Sequence, residues 1–356
     1  MPNGDLRPKH FPIDNARIQP SYDVAITGGG HNGLVAACYL ANSGLSVLLI
    51  EREAEIGGAT RSKRVFEGLD AKLSVYSYLV SLFPEKIVDD LGLDVEFRPR
   101  RTASWTPAVE GDRRRELLIR SDDPAANREA FQRLTGGGQD YRGYLSLAEM
   151  QSRVAELLWP TLTEPLVGRT ELRARLDSEG LEAWEALVEQ PLGSTIEALI
   201  SDDLIRGVVF TDGKIGVSTH PHDPTLLQNR CFLYHIIGGG TGEWRVPVGG
   251  MGRLVEQLLQ SALATGNVRV LTSAEVTRVT AGRFRHSVAY SIDGEEREVD
   301  ARFVLCNASA QVLRKLTGSC GDAETDEIEG AAFKINMLLK KLPRIRSSSC
   351  SALEAF

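Results

Sequence analysis

Gly28, Gly30 and Gly33 fall in the spacing G-x-G-x-x-G, and Glu51 follows eighteen residues after the last of them. Three glycines and one acid at these distances can hold a dinucleotide. Gly28 permits a tight turn, Gly30 lets the backbone approach a pyrophosphate, and Gly33 lets a helix pack closely on a strand. The Glu51 carboxylate can accept hydrogen bonds from a ribose diol and would repel a 2′-phosphate, so the set favours FAD or NAD over NADP. Six residues past the acid, Gly57 and Gly58 leave room for a dinucleotide to pass, while Arg61 and Ser62 offer further donors.

The elements that must position these residues are legible around them. Tyr22–Thr27 is an apolar strand, a helix starts near His31, and Ser46–Ile50 is a second apolar strand ending on Glu51. The first turn of that helix, with His31 and Asn32, points free N–H groups and the positive dipole end at bound phosphates. A glycine triplet alone is a weak signal. In this strand–turn–helix–strand setting it is a strong one.

Other chemistries find less support. His220-Pro-His222-Asp223-Pro224 gathers two imidazoles and a carboxylate, but the prolines impose an extended loop and no further ligand group sits at a diagnostic spacing, so no metal site is expected. Gly238–Gly242 lacks the Lys-Ser/Thr of a phosphate loop and reads as a hinge. No Gly-x-Ser-x-Gly elbow and no His-Glu-x-x-His helix is present, and the sequence names no catalytic residue. The net charge of −7 argues against nucleic acid as a partner. The five cysteines, Cys38, Cys231, Cys306, Cys320 and Cys350, form no C-x-x-C pair, which speaks against a disulfide framework and a catalytic dithiol. Residues 1–20 mix acids, bases and prolines without an apolar run and read as a flexible leader, which favours a cytoplasmic protein, with the mitochondrial matrix as the alternative. The apolar stretch Leu73–Pro84 is too short to span a bilayer. A buried helix is the expectation there; lining an apolar tunnel or touching a membrane surface are the alternatives.

With 42% hydrophobic and 25% charged residues over 356 positions, the chain can bury a sizeable core and suggests two domains. Residues 98–120 read as short extended pieces with turns. The six arginines between Arg98 and Arg115 are expected on a solvated hairpin face, a basic patch for an anionic substrate being the alternative. From Asp140 to about Arg206 the pattern is helical: Tyr141, Tyr144, Leu145, Ala148, Val154 and Leu157 form a stripe that Pro160 stops. Gly193 opens a further helix with Ser194 as cap and Glu197 three residues on. A glycine turn over Val246–Gly252 then leads into the helix Arg253–Ala264, closed by Gly266, followed by a strand at Val268–Leu271.

Glu51-Arg-Glu-Ala-Glu-Ile-Gly-Gly-Ala-Thr-Arg-Ser62 resembles the acid-then-GG-x-x-x-S signature of flavoproteins related to amine oxidases and phytoene desaturases. Pro247-Val-Gly-Gly-Met-Gly-Arg-Leu254 is similar to the P-x-GG-M-x-x-L element of the phytoene-desaturase branch, and Ser273–Val279, Arg302–Ala308 and Phe333–Asn336 follow in that family's order. A narrower likeness, carried by Gly30–Ala37, Tyr78–Leu82 and Lys334–Asn336, is to its pyridine nucleotide-disulfide oxidoreductase domain-containing members. The resemblance implies an α/β chain with a Rossmann-type FAD-binding domain and an inserted, largely helical plus sheet substrate or cap domain. The expected division is a leader over 1–20, FAD-binding segments over 21–97 and 246–310, a cap over 98–245, and the start of a second substrate-domain segment over 311–356. FAD would be held by Gly28, Gly30, His31, Asn32, Gly33, Glu51, Arg52, Gly57, Gly58, Ala59, Thr60, Arg61 and Ser62, with the backbone at Val276 against adenine. The implied activity is hydride transfer from a small or apolar organic substrate to flavin, with the electron acceptor and oligomeric state open. A catalytically incomplete FAD-binding or interaction protein and an NAD-binding dehydrogenase are the alternatives. Family members run well beyond 356 residues, and 344–356 loses helix and strand periodicity, so the chain is expected to be truncated relative to them.

Overall fold

The computed structural model describes residues 18–319, 332–341 and 343; residues 1–17 of the expected leader over 1–20 and the stretch 344–356 lie outside the described residues. The chain divides into two compact units, one of Met1–Tyr78, Glu85–Phe97 and Pro247–Glu327, the other of Leu79–Pro84, Arg98–Val246 and Ile328–Phe356.

The first unit is an α/β sandwich around one six-stranded sheet. Its main elements are β1 (Ser21–Thr27), α1 (His31–Asn42), β2 (Val47–Ile50), α2 (Met251–Ala264), β3 (Val268–Leu271), β4 (Ala274–Thr280), β5 (His286–Ile292), β6 (Glu295–Cys306) and α3 (Ala310–Thr317). The strand order is β4-β5-β6-β1-β2-β3. β6, β1, β2 and β3 run parallel, with Val24 opposite Phe303 on one side and Val47 on the other. β4, β5 and β6 form an antiparallel meander. Every residue of β2 is buried, as a strand covered on both faces requires. The β5–β6 hairpin turns on Asp293 and Gly294, both with positive φ, the two-residue turn whose twist matches paired strands. Tyr22, Leu48, Ile50, Leu271, Val288, Tyr290 and Val299 form part of the apolar core of this unit. Cys38 on α1 donates its thiol to the Leu258 carbonyl of α2 at 3.4 Å, and burial pushes its pKa to about 11, so it packs as an apolar group.

The second unit packs helices against a two-stranded hairpin. The strands Thr102–Glu110 and Arg113–Arg120 are antiparallel and longer than the short pieces expected, because paired β-branched and arginine positions keep the ladder going to the turn at Gly111. Asp123 caps the helix Pro124–Thr135 by accepting from the Ala126 N–H at 2.9 Å, and Gly136 closes it in the left-handed region. The long helix Gln139–Leu158 follows, buried at Tyr141, Leu147, Val154 and Ala155. Leu145, placed in the apolar stripe by sequence, is instead 46% exposed. The Asp140 carboxylate accepts from the Ser201 N–H and hydroxyl at 2.5 and 2.9 Å and joins two helix ends.

Three further expectations change in this unit or at its border. The helix expected from Gly193 starts at Leu192 after Pro191, with no side-chain cap, so Ser194 does not cap it. Gly193 is packed so closely on Pro221 that a Cβ would sit 2.8 Å from its carbonyl oxygen. The stretch Leu73–Pro84 is not a buried helix: it is a two-residue strand, bends and a single bridge from Val80 to Arg245, with Tyr76 and Tyr78 exposed. Short-range alternation of serine, tyrosine and valine there defeats helical packing. Gly238–Gly240, expected as a hinge, is a compact turn pressed on Ser81, leaving no room for a Cβ at Gly238. In the 220–224 loop, Asp223 is used locally, accepting from the Thr219 and Thr225 hydroxyls at 2.9 and 2.7 Å, and His222 Nε2 lies 2.9 Å from Glu197.

Candidate cofactor site

The glycine turn sits where β1 ends. Gly28 turns the chain with φ +98°, its N–H donating to the Ile50 carbonyl at 2.8 Å. Gly33, one turn into α1, is packed so tightly that a Cβ would lie 2.4 Å from the Gly28 oxygen and 2.9 Å from Asn307 Nδ2. Gly30 is the N-cap of α1 and, having no side chain, leaves the first-turn N–H groups of that helix without a side-chain cap. An anion placed there meets uncapped donors and the positive end of a twelve-residue helix.

Glu51 follows β2 and is held by two backbone amides: Oε2 accepts from Gly29 N–H at 2.7 Å and Oε1 from Glu53 N–H at 2.9 Å. Each oxygen retains a lone pair for another donor. Arg52 is largely exposed and lies near Glu53 and Glu275, at 3.6 and 3.9 Å. Gly57 and Gly58 both have positive φ, and the Gly57 N–H donates to the Gly29 carbonyl at 2.7 Å. A Cβ on Gly58 would reach 3.1 Å from Gly30 Cα, so the two glycine turns touch backbone to backbone. Behind them Thr60 Oγ1 lies 3.1 Å from His31 Nδ1. Burial holds the His31 imidazole below its ordinary pKa and therefore neutral at neutral pH. Arg61 approaches Glu53 at 3.5 Å, while its buried Nε has no partner among the described residues. Ser62 Oγ accepts from Gly252 N–H at 2.9 Å and so secures the start of α2.

These residues enclose a cleft of about 390 Å³ at the carboxyl ends of the parallel strands, where ligands of open α/β sheets bind. Gly28, Gly30, His31, Asn32, Glu51, Arg52, Gly58, Ala59 and Val276 line it. Gly33, Gly57, Thr60, Arg61 and Ser62, also expected at the cofactor, are not among the lining residues. Among the lining residues that the sequence did not single out are Asn307 and Thr27. Asn307, after β6, donates its N–H to Thr27 O at 2.8 Å and its Nδ2 to Gly28 O at 3.2 Å, bracing the glycine turn from 279 residues away. Thr27 presents a buried Oγ1 with no partner among the described residues. The available signal for Asn307 was the polar residue directly after the apolar run Phe303–Cys306. Nothing local marked Thr27.

The cleft meets the needs of a dinucleotide on grounds of structure: a backbone cradle that a Cβ would fill, an uncapped helix start and a fixed carboxylate. Residues 33–334 match the family described as flavin containing amine oxidoreductase. Pyridine nucleotide-disulfide oxidoreductase domain-containing protein 2 of Mus musculus is 30% identical over 328 residues, 84% of this chain and 55% of the mouse protein. A carotenoid 3,4-desaturase of Haloarcula japonica is 53% identical over 276 residues, 72% of this chain and 50% of its own length. Cyclohexylamine oxidase from Brevibacterium oxydans shares the fold, with a TM-score of 0.52 and 17% identity over 84% of this chain and 60% of the oxidase. The chain spans between half and two thirds of the length of the curated relatives it matches along most of its own length. No helix among the described residues is long and apolar enough to cross a membrane. The chain belongs to the flavin containing amine oxidoreductase family, and the dinucleotide that this family of oxidoreductases carries is FAD.

Proposed function

We propose that the cleft holds FAD and that the protein oxidises a C–H bond of an apolar organic substrate. The observation that carries this reading is the joint placement of the uncapped start of α1 and the amide-fixed Glu51 carboxylate on one cleft. The N–H groups of the first turn, with Gly28, Gly30, His31 and Asn32, would take the pyrophosphate. Glu51 would accept from the ribose hydroxyls, and the Val276 backbone would lie along the adenine. Gly58 and Ala59 would flank the dinucleotide, Arg52 would screen its charge, and Gly33, Gly57, Thr60, Arg61 and Ser62 would hold the walls in place.

When bound, FAD supplies a two-electron acceptor for the substrate C–H. The chain's own residues bind and orient it and keep water out of the walls. The neutral His31 adds no proton to the phosphate end, so binding there rests on backbone donors and the helix dipole. No side chain is assigned to the chemical step. An apolar substrate is favoured by the desaturase likeness along 72% of the chain.

The test is the visible absorption spectrum of the purified chain, before and after heat release of its ligand, with the released compound identified. A flavin spectrum with FAD recovered is expected, bleached anaerobically by an apolar polyene donor. A colourless preparation that binds NADH would point to a nicotinamide dehydrogenase instead. A folded, colourless protein that added FAD does not restore would overturn the proposal.

A further inference from the structure

The second unit carries a groove of about 450 Å³ between the strand Arg113–Arg120 and the helix Pro124–Thr135. Its walls follow from two periodicities. Arg114, Leu118 and Arg120 alternate along the strand and project from one face, while Ala126, Ala130 and Arg133 lie on one side of the helix at spacings of three and four. The floor is apolar, through Leu118, Ala130 and Leu134. The rim holds Arg114, Arg115, Arg120 and Arg133 with the carboxylates Glu116 and Glu129, in a site of ligand size.

The four arginines are not equivalent. Arg115 is spoken for: it pairs with Asp202 and, at 3.0 Å, with Glu110, which locks the hairpin to the neighbouring helix start. Arg114, Arg120 and Arg133 form no ion pair among the described residues. Arg120 is also fixed at its backbone, where buried Asn127 accepts from its N–H and donates to its carbonyl, both at 2.8 Å. The groove's own helix therefore sets the position of one of its cations. Trp105 is paired with Leu118 across the hairpin, on the same sheet face, and its buried indole N–H has no acceptor among the described residues.

We infer that this groove is a binding site for a phosphate monoester carrying a short apolar group. Guanidinium groups match phosphate oxygens in a bidentate geometry, and Arg114, Arg120 and Arg133 supply them from the rim. The apolar floor gives the ester group a surface to cover. The site lies wholly within the second unit, is built from residues the cofactor cleft does not use, and stands or falls independently of the flavin proposal.

Calorimetric titration of the full chain, without added FAD and again with it, tests it with phenyl phosphate, inorganic phosphate and benzoate at low salt. Phenyl phosphate is expected to bind more tightly than the other two, and R120Q/R133Q to weaken it about tenfold, the weight of one charge-assisted hydrogen bond. Raising the salt should weaken it further. Should the double variant lose its native circular dichroism, the exposed R114Q gives the same reading, with a loss of about threefold. Absence of phenyl phosphate binding, or binding untouched by these substitutions, overturns the inference. Benzoate binding as tightly overturns the dianion, and inorganic phosphate binding as tightly overturns the apolar contact.

Discussion

The cofactor cleft and the basic groove meet anionic ligands by opposite means. The cleft offers little side-chain charge toward its pyrophosphate end: its donors are backbone N–H groups at the start of α1, its nearest imidazole is neutral, and its one fixed charge is the Glu51 carboxylate. The groove is all side-chain charge, carried by long arginines on an apolar floor. A backbone site is fixed before the ligand arrives and tolerates no added atom. A guanidinium site must order flexible stems on binding, and its strength falls with salt. The first should fail abruptly on small steric changes and the second in steps as charges are removed.

The sharpest test of that difference is Gly33→Ala. The new Cβ would fall 2.4 Å from the Gly28 oxygen, so the turn must move; we expect loss of bound flavin in the absorption spectrum and a destabilisation of about 1–3 kcal/mol in urea unfolding. Retention of flavin with unchanged stability would sink the rigid-cradle account. Next comes Asn127→Ala in the second unit. It leaves the Arg120 N–H and carbonyl without their side-chain partner, at a cost of about 1–3 kcal/mol, and should weaken phenyl phosphate binding without touching the flavin spectrum. If flavin content fell as well, the two sites would not be independent.

Glu51→Gln is expected to be milder in stability, since the amide oxygen can still accept one of the two backbone N–H groups. FAD affinity should drop about tenfold, read by flavin release on dilution. Unaltered affinity would remove Glu51 from the ribose. The smallest effect is on pH dependence. His31 has a folded pKa below its ordinary 6.5 because burial disfavours the imidazolium. The unfolded chain then binds the extra proton between the two values, so stability is full above about 6.5 and declines as pH falls toward the folded pKa. His31→Gln should flatten that limb of the stability-against-pH curve; an identical slope in the variant would show that other groups set it.

Much of the first unit was legible in the linear chain because its constraints are local. Gly28, Gly30 and Gly33 are required by backbone clearances of a few ångströms, and β1 and β2 announce themselves as apolar runs on either side of α1. The start of α1 at His31 follows from the glycine before it. By contrast, Leu73–Pro84 looks like a buried helix by composition and is an irregular, half-exposed stretch. Ser194 looks like a cap, yet the helix begins two residues earlier because Pro191 and the close Pro221 contact at Gly193 dictate the entry. Leu145 fits a helical stripe yet faces outward, since the stripe alone does not say which neighbours will cover it.

The sequence by itself determined the Rossmann-type α/β unit and a dinucleotide as its ligand, because these rest on glycine spacing and strand patterning that act over a few residues, while its resemblance to known flavoproteins implied the family and FAD. Only the tertiary structure decided that Asn307 braces a turn 279 residues away, that Thr27 lies at the cleft with a buried hydroxyl that has no partner among the described residues, and which of the scattered arginines share a groove. Those relations depend on which strands become neighbours and which helix face meets them. No local spacing encodes that, because it is fixed only when the apolar faces of distant segments are buried together.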